Sequence, residues 1–289
     1  MKVVTIKNFA YYIRRYIAAL TVYVLLFALT IVLIVPFLQM LSTSFKPAEE
    51  WFSTSLNLIP TKPTLENYEI ALSQIPFFRF FLNSSIMTAG VTVGQIIIAT
   101  LSAYSFSKLR WPGRNLFFWI IVATMMMPAE ASLVVRYIMM VRFNWVNTYL
   151  ALIIPLLGTG FTTFLLRQFF LNVPDELIEA AIIDGCRRIR ILFVVVIPLA
   201  KAGIATGTIF LALKTWNNFL WPLLVTGTDE MSTLPVGLQK FVETSLGQNY
   251  IAWGPFMAMS TLVMAPMIIL YLFARKTFIQ GISTTGLKE

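Results

Sequence analysis

The densest chemistry in this chain is the stretch DELIEAAIIDGCRRIR at residues 175–190. Asp175, Glu176, Glu179 and Asp184 supply carboxylates; Arg187, Arg188 and Arg190 supply guanidinium groups. Such groups make ion pairs and charge-assisted hydrogen bonds. The partners that catalysis would need are missing. Histidine is absent, and the one cysteine, Cys186, excludes an intramolecular disulfide and any Cys/His metal cluster. Cys186 reads as a small packing residue. No nucleophile–base constellation stands out, and no G-x-x-x-x-G-K-[ST] is present to cradle ATP phosphates. The chemistry on offer is recognition of another charged surface, with no catalytic residue and no metal site.

The surroundings of that stretch are almost uniformly apolar. The chain has 289 residues, 58% hydrophobic and 12% charged, with mean hydropathy +0.78. A soluble domain carries about 25% charged residues, so the composition points to a polytopic membrane protein. The net charge of +9 does not indicate nucleic acid, because the basic residues cluster at the ends of apolar runs. Lys2, Lys7, Arg14 and Arg15 precede the first run, but the uncharged stretch 16–45 is far longer than a signal-peptide core of about 7–15 residues. It reads as an uncleaved first span.

Helices near 17–40, 83–106, 115–137, 147–168, 203–225 and 255–274 each supply the roughly 20 apolar residues a span requires. The third is interrupted by Pro128 and Glu130, which predicts a bent or re-entrant end. Six spans place both termini on one side. With the N-terminus inside, fifteen Lys and Arg fall on inner segments and six on outer ones. The positive-inside rule then puts both termini, and the charged stretch, in the cytoplasm. The domain reading is a cytoplasmic N-terminus 1–16, one six-helix domain 17–276 with its charged loop at about 171–200, and a cytoplasmic tail 277–289. The outer loop after the first span predicts a short helix at 64–73. Trp145, Trp221 and Trp253 suit the membrane interface, and Met125, Met126 and Met127 read as packing residues.

Within the loop, Pro174 suits a first helical turn, and Asp175 and Glu176 complement the positive end of the helix dipole. At 100° per residue Leu177, Ile178, Ala181 and Ile182 share one face, while Asp175, Glu176 and Glu179 share the other. Gly185 predicts a left-handed cap. A second helix can start at Cys186 and run toward Ile197, with Pro198 marking entry to the next span. The physics of this helix–glycine–helix unit leaves two roles open: a hairpin lying on the membrane surface, or a rigid docking knob.

ELIEAAIIDG followed by IPL at 197–199 resembles the EAA motif of binding-protein-dependent ABC importer permeases: Glu179, Ala180, Ala181, Gly185 and Pro198. TLENY, FFLNSSIMTAG, LSAYSFSKLRWPGRNLFF, NTYLALIIPLLGTGFTTFLLRQFF, WNNFLWPLL and FIQGISTTGLKE are similar to segments of the carbohydrate-uptake members, so the resemblance runs over residues 17–289. It is nearest the shorter, six-span subunit of the maltose- and glycerol-phosphate-type systems. The resemblance implies an all-α polytopic type I importer permease fold, with a cytoplasmic coupling-helix loop, in a bacterial or archaeal cytoplasmic (inner) membrane. It implies a second homologous permease subunit, two ATPase subunits and an extracellular or periplasmic solute-binding protein. The chain would bind no cofactor directly, and ATP and Mg would sit in the partner ATPase. By the same resemblance Glu179 pairs with a basic residue of the ATPase, Ala180 and Ala181 keep the helix slim, Asp184 helps cap it and Gly185 permits the turn. Arg187, Arg188 and Arg190 depart from the family pattern. The C-terminal tail, through Gln280 and Gly281, either reaches the ATPases or is solvated.

Glu130, Lys214, Asn217 and Asn218 lie in or near spans, where polar groups face a bundle interior or cavity. Glu130 reads as a gate or as an interfacial residue. Lys214, Asn217 and Asn218 read as pathway lining or as helix–helix hydrogen-bonding groups. The expected function is half of an import pathway for a sugar or sugar-like solute, with glycerol 3-phosphate or a glycerophosphodiester as the alternative. A stand-alone secondary transporter or channel is the rival of a different class, disfavoured by the lack of an obvious inverted repeat.

Overall fold

The computed structural model describes residues 2–52, 57–158, 160–247 and 252–286, and among these every regular element is helical. In order they are α1 (Lys2–Ser44), α2 (Glu66–Gln74), α3 (Phe77–Lys108), α4 (Arg114–Thr124), α5 (Leu133–Arg142), α6 (Tyr149–Ile153) and α7 (Gly160–Leu171). They continue with α8 (Asp175–Ile183), α9 (Arg188–Leu199), α10 (Lys201–Trp216), α11 (Leu220–Val225), α12 (Leu234–Gly247) and α13 (Trp253–Gly286). Windows in α1, α3 and α13 are long and apolar enough to cross a membrane, and α6–α7 and α9–α10 pass the same test as bent pairs. The third span expected at 115–137 is corrected: α4 has only 11 residues, too few to cross a membrane as one helix, and stops ahead of Pro128. Pro128 is extended (φ −60°, ψ 133°), and a proline both lacks an N–H and disfavours helix in the residue before it. The short helix expected at 64–73 is α2.

The chain divides into two compact units. The first comprises Met1–Gln74 and Ser245–Leu262. There the end of α1 is fastened to α2 by backbone oxygens. Asn67 Nδ2 donates to the carbonyls of Ser44 (3.0 Å) and Lys46 (2.7 Å), and Trp51 Nε1 donates to Lys46 (3.0 Å). Tyr68 and Ser44 hydroxyls meet at 2.8 Å. The body of α1, from Tyr16 to Phe37, presents exposed apolar side chains.

The second unit comprises Ile75–Thr244 and Val263–Glu289, and α3 packs against α7 and α10. Its core cluster joins Ala99, Ala103 and Tyr104 of α3 to Leu166, Phe169 and Phe170 of α7 and to Ile191, Leu192 and Val196 of α9. Gly203 lets α10 approach closely, because a Cβ there would run into the Phe169 ring. α3 also buries a polar stripe: Asn83, Ser84, Thr88, Thr92, Gln95, Thr100 and Ser107. Several of these reach backbone at places where other helices begin or break. Asn83 Nδ2 donates to Glu230 O (2.9 Å) and Ser232 O (2.8 Å), while its Oδ1 accepts from Tyr149 (2.6 Å). Ser84 Oγ accepts from the Leu234 N–H (2.8 Å), and Gln95 Nε2 donates to Leu156 O (3.1 Å).

Two further expectations are corrected. Trp221 is 2% exposed, not at an interface belt; its Nε1 donates to Ala151 O (2.9 Å) and Arg136 lies 5.3 Å over its ring. The break after Trp216 ends one helix and starts another, turning Trp221 into the cluster around α6. Met126 and Met127 are largely exposed where α4 ends and do not pack within this chain, whereas Met125 lies beside Gly160.

Replacing Asn83 by Leu orphans the Ser232 carbonyl and the Tyr149 hydroxyl, each worth about 1–3 kcal/mol, and leaves the Glu230 carbonyl to Arg79 Nε alone. Asn83→Leu is expected to lower the thermal midpoint of the purified protein by several degrees. Ser85→Ala, which removes only a bond to Phe81 O in the same helix, is expected to change stability by about 0.5 kcal/mol or less. Equal midpoints for both variants would contradict the assignment.

Candidate functional site

The charged stretch is built as its residue types require. Pro174 (φ −58°, ψ 135°) precedes α8, with Asp175 and Glu176 in the first turn. At the other end the Gly185 N–H donates to Ile182 O (3.0 Å) and the Cys186 N–H to Ala181 O (2.9 Å). Those two bonds, with Gly185 at φ +77°, are a Schellman cap. Nothing lies within 4 Å of where a Cβ at Gly185 would sit, so the requirement for glycine is one of backbone, not of space. The cap is closed by backbone N–H groups; Asp184 is the C-cap residue just after Ile183, and it is exposed. The second helix starts at Arg188, two residues later than the sequence suggested. α9 holds a π-type segment at Leu192–Val196 before Pro198, and α10 leaves it at 82°.

Three ties fix this loop to the spans. Lys108, at the end of α3, has a buried side chain whose Nζ donates to Val173 O and to Asp175 Oδ1, both at 2.6 Å. The Tyr104 hydroxyl donates to Arg188 O (3.0 Å). Ile178 is buried in the core cluster, with Ala181 and Cys186 packed against it. The hydrogen bond from Lys108 holds the Asp175 carboxyl below the usual carboxylate range, helped by the charges of Lys108 and Arg110 and opposed by slight burial. Sequence reading counted Lys108 only as an orientation signal and gave Tyr104 no role. A lysine ending an apolar helix and a tyrosine one turn earlier were the available signal.

What remains uncovered defines the site. The expected apolar face of α8 is split: Ile178 is buried, while Leu177 (46%) and Ile182 (40%) are exposed, and Ile183 is 86% exposed at the tip. Glu179 and Ala180 are exposed, and Glu179 makes no ion pair or hydrogen bond among the described residues. Glu179, Asp175, Ile178 and Ile182 form one wall of a cleft of about 700 Å³, and Lys108, Arg110, Trp111 and Arg114 form the other. Arg188 also lines this cleft, and Arg187, Arg188 and Arg190 are all exposed. The arrangement presents an acidic and apolar knob on a rigid mount. Among the described residues no cluster could hold a metal ion.

The other candidate residues separate. Lys214 is exposed in the last turn of α10. Asn217 is exposed and donates to Leu213 O (2.9 Å); the half-buried Asn218 accepts from the Trp221 N–H (3.4 Å). These three share one segment. Glu130 is exposed in the single turn Ala129–Ser132 between α4 and α5. Gln280 and Gly281 lie on the α13 backbone, and their surroundings fall outside the described residues.

Comparison with known proteins agrees with this geometry. Residues 95–284 match the family described as binding-protein-dependent transport system inner membrane component. The chain is 34% identical over 237 residues to the sn-glycerol-3-phosphate transport system permease protein UgpE of Salmonella typhi, covering 80% of this chain and 84% of that one. It is 33% identical over 240 residues to UgpE of Escherichia coli O1:K1, covering 81% and 85%. Among solved structures it is similar, with TM-score 0.81 and 25% identity over 91% of this chain and 97% of the other, to a chain of a bacterial ABC transporter involved in the import of the acidic polysaccharide alginate. Relatives of this kind are transport permeases, not enzymes, and work in general with a partner permease, an ATPase and a binding protein. The chain therefore belongs to the family of inner-membrane components of binding-protein-dependent transport systems, and it is a permease subunit of an ABC importer.

Proposed function

We propose that α8 is the coupling helix of this subunit and that Glu179, Ala180, Ala181, Asp184 and Gly185 form the surface received by a partner ATPase. The observation that carries this is a mismatch of covering: α8 is anchored at Ile178 and Lys108, yet Glu179, Ile182 and Ile183 stay exposed, and Glu179 has no ion pair or hydrogen bond among the described residues. A charged and apolar tip outside the spans suits a soluble protein partner better than lipid. In this reading ATP and Mg sit in two ATPase subunits, which grip the knob of each of two homologous permeases. Closing the ATPase dimer then moves α8 and, through α9, the spans. A conformational change needs differential contacts in its two states, and a knob clamped to both partners supplies them. Both termini and the loop lie in the cytoplasm, the residues 17–276 act as one membrane domain, and the solute arrives on an extracellular or periplasmic binding protein. Glu130 belongs to the outer gate region, and Gln280 and Gly281 to a tail that reaches the ATPases.

The solute is a sugar or sugar-like molecule. A sugar-phosphate solute is the second reading, favoured by the relatives named for sn-glycerol-3-phosphate transport.

In the assembled transporter, Glu179→Lys is expected to reduce ATP hydrolysis stimulated by the loaded binding protein by about tenfold or more, the scale of one charge-assisted hydrogen bond. Gly185→Asn should retain stimulation better than Gly185→Val, since a left-handed backbone costs an ordinary residue about 1–2 kcal/mol and asparagine tolerates it. Full stimulation in Glu179→Lys and Gly185→Val would remove the coupling role. The anchor has its own pH dependence. The folded-state pKa of Asp175 is depressed, so its ion pair contributes fully above the unfolded value of about 3.9 and is lost as pH falls through the lower folded value. The stability difference between wild type and Asp175→Asn should thus be constant near neutral pH and shrink only in strong acid. Because Asp175 is mostly exposed, the difference should be small. A difference that disappears by pH 6 would contradict it.

A further inference from the structure

Lys214 is a cation in a place where lipid offers it nothing. It lies about 20 Å along α10 from Lys201 at 1.5 Å per residue, well within the roughly 30 Å of a hydrocarbon core. Its side chain is exposed and has no ion pair or hydrogen bond among the described residues. Charged groups at such depth face water-filled cavities or other subunits. A second feature of the backbone supports an aqueous surface. α10 ends at Trp216 and the chain is not helical again until Leu220, and irregular backbone at membrane depth is tolerated only inside protein or against a cavity.

The neighbours of Lys214 on that surface are informative. Phe210, Lys214 and Asn217 follow the i, i+4, i+7 spacing of one helical stripe, and all three are exposed. The Phe210 ring meets the Phe161 ring of α7 at 5.1 Å, and both rings are partly open. An aromatic pair can cover the apolar C–H face of a sugar ring. An amide can hydrogen-bond its hydroxyls. An ammonium between them adds a point charge for an anionic oxygen. An aromatic platform and an amide are superfluous for a bare ion pair with a partner subunit, whereas the full set matches a charged carbohydrate.

We propose that Phe210, Lys214 and Asn217 form a charge-selective stripe on the wall of the pathway, and that the solute carries a carboxylate or a phosphate. The proposal rests on the importer reading above and narrows its solute class. The test uses the complete transporter in proteoliposomes with its cognate binding protein, ATP inside, and three labelled probes: sn-glycerol 3-phosphate, a hexuronate disaccharide and neutral maltose. Wild type is expected to accumulate one anionic probe in preference to maltose, and which one separates phosphate from carboxylate. Lys214→Gln should raise the KM for that probe by about tenfold or more, and Lys214→Arg should restore it to within a few-fold. Accumulation of maltose alone overturns the stripe and leaves the importer intact. An unchanged KM in Lys214→Gln also overturns it, as does loss of subunit assembly in Lys214→Gln, which would make Lys214 the partner of a neighbouring subunit's carboxylate. Failure of wild type to accumulate either anionic probe overturns the stripe, whereas the coupling reading fails only if Glu179→Lys and Gly185→Val keep full stimulation of ATP hydrolysis.

Discussion

A carbonyl buried where a helix begins or breaks must find a donor within the protein, because neither a packed interior nor a bilayer core supplies one. This chain breaks its helices repeatedly, and α3 carries many of the donors that make the breaks tolerable. Asn83 serves Glu230 and Ser232, Gln95 serves Leu156 and Lys108 serves Val173, while Tyr104 adds a second bond to the Arg188 carbonyl, which also accepts from the Leu192 N–H. Trp221 does the same for Ala151, whose helical partner would be the N–H that Pro155 lacks. An apolar replacement at any of these positions would keep the hydropathy and lose the fold's internal solvent.

The same constraint prepares the loop for work. Two of the α3 donors lie at its C-terminal end, and each fastens one arm of the helix–glycine–helix unit: Lys108 before α8, Tyr104 at the start of α9. Ile178 and the Gly185 cap complete the mount. What is left outward is Glu179, Ile182 and Ile183. A knob that moves with its spans, instead of bending against them, is what a coupling element needs, so a membrane-protein satisfaction rule and the proposed transport role meet at the same residues.

Much of this was legible in the sequence because the bilayer leaves few options. Long uncharged runs marked the spans, and Pro174 and Gly185 bounded α8 through properties each carries alone. The breaks were harder to place. Pro128 announced the end of α4, but the 82° turn comes at Ala200 (φ −98°, ψ 14°), and alanine by itself favours helix. Trp221 was misplaced because aromatics favour interfaces on average, whereas this one has a carbonyl to serve. The split apolar face of α8 was also invisible, since periodicity tells which residues share a face and not how much of that face the rest of the chain covers. The Lys108–Asp175 pair spans 67 residues of sequence, beyond the reach of any local pattern.

The account depends on the tip of α8 lying against another protein. Site-directed crosslinking from a single cysteine at position 183, in a background where Cys186 is replaced by serine, tests that contact in the assembled transporter. The account predicts a crosslink to the ATPase subunit whose yield changes when ATP is bound. Labelling of position 183 by a water-soluble thiol reagent with no ATPase crosslink in either nucleotide state would contradict it.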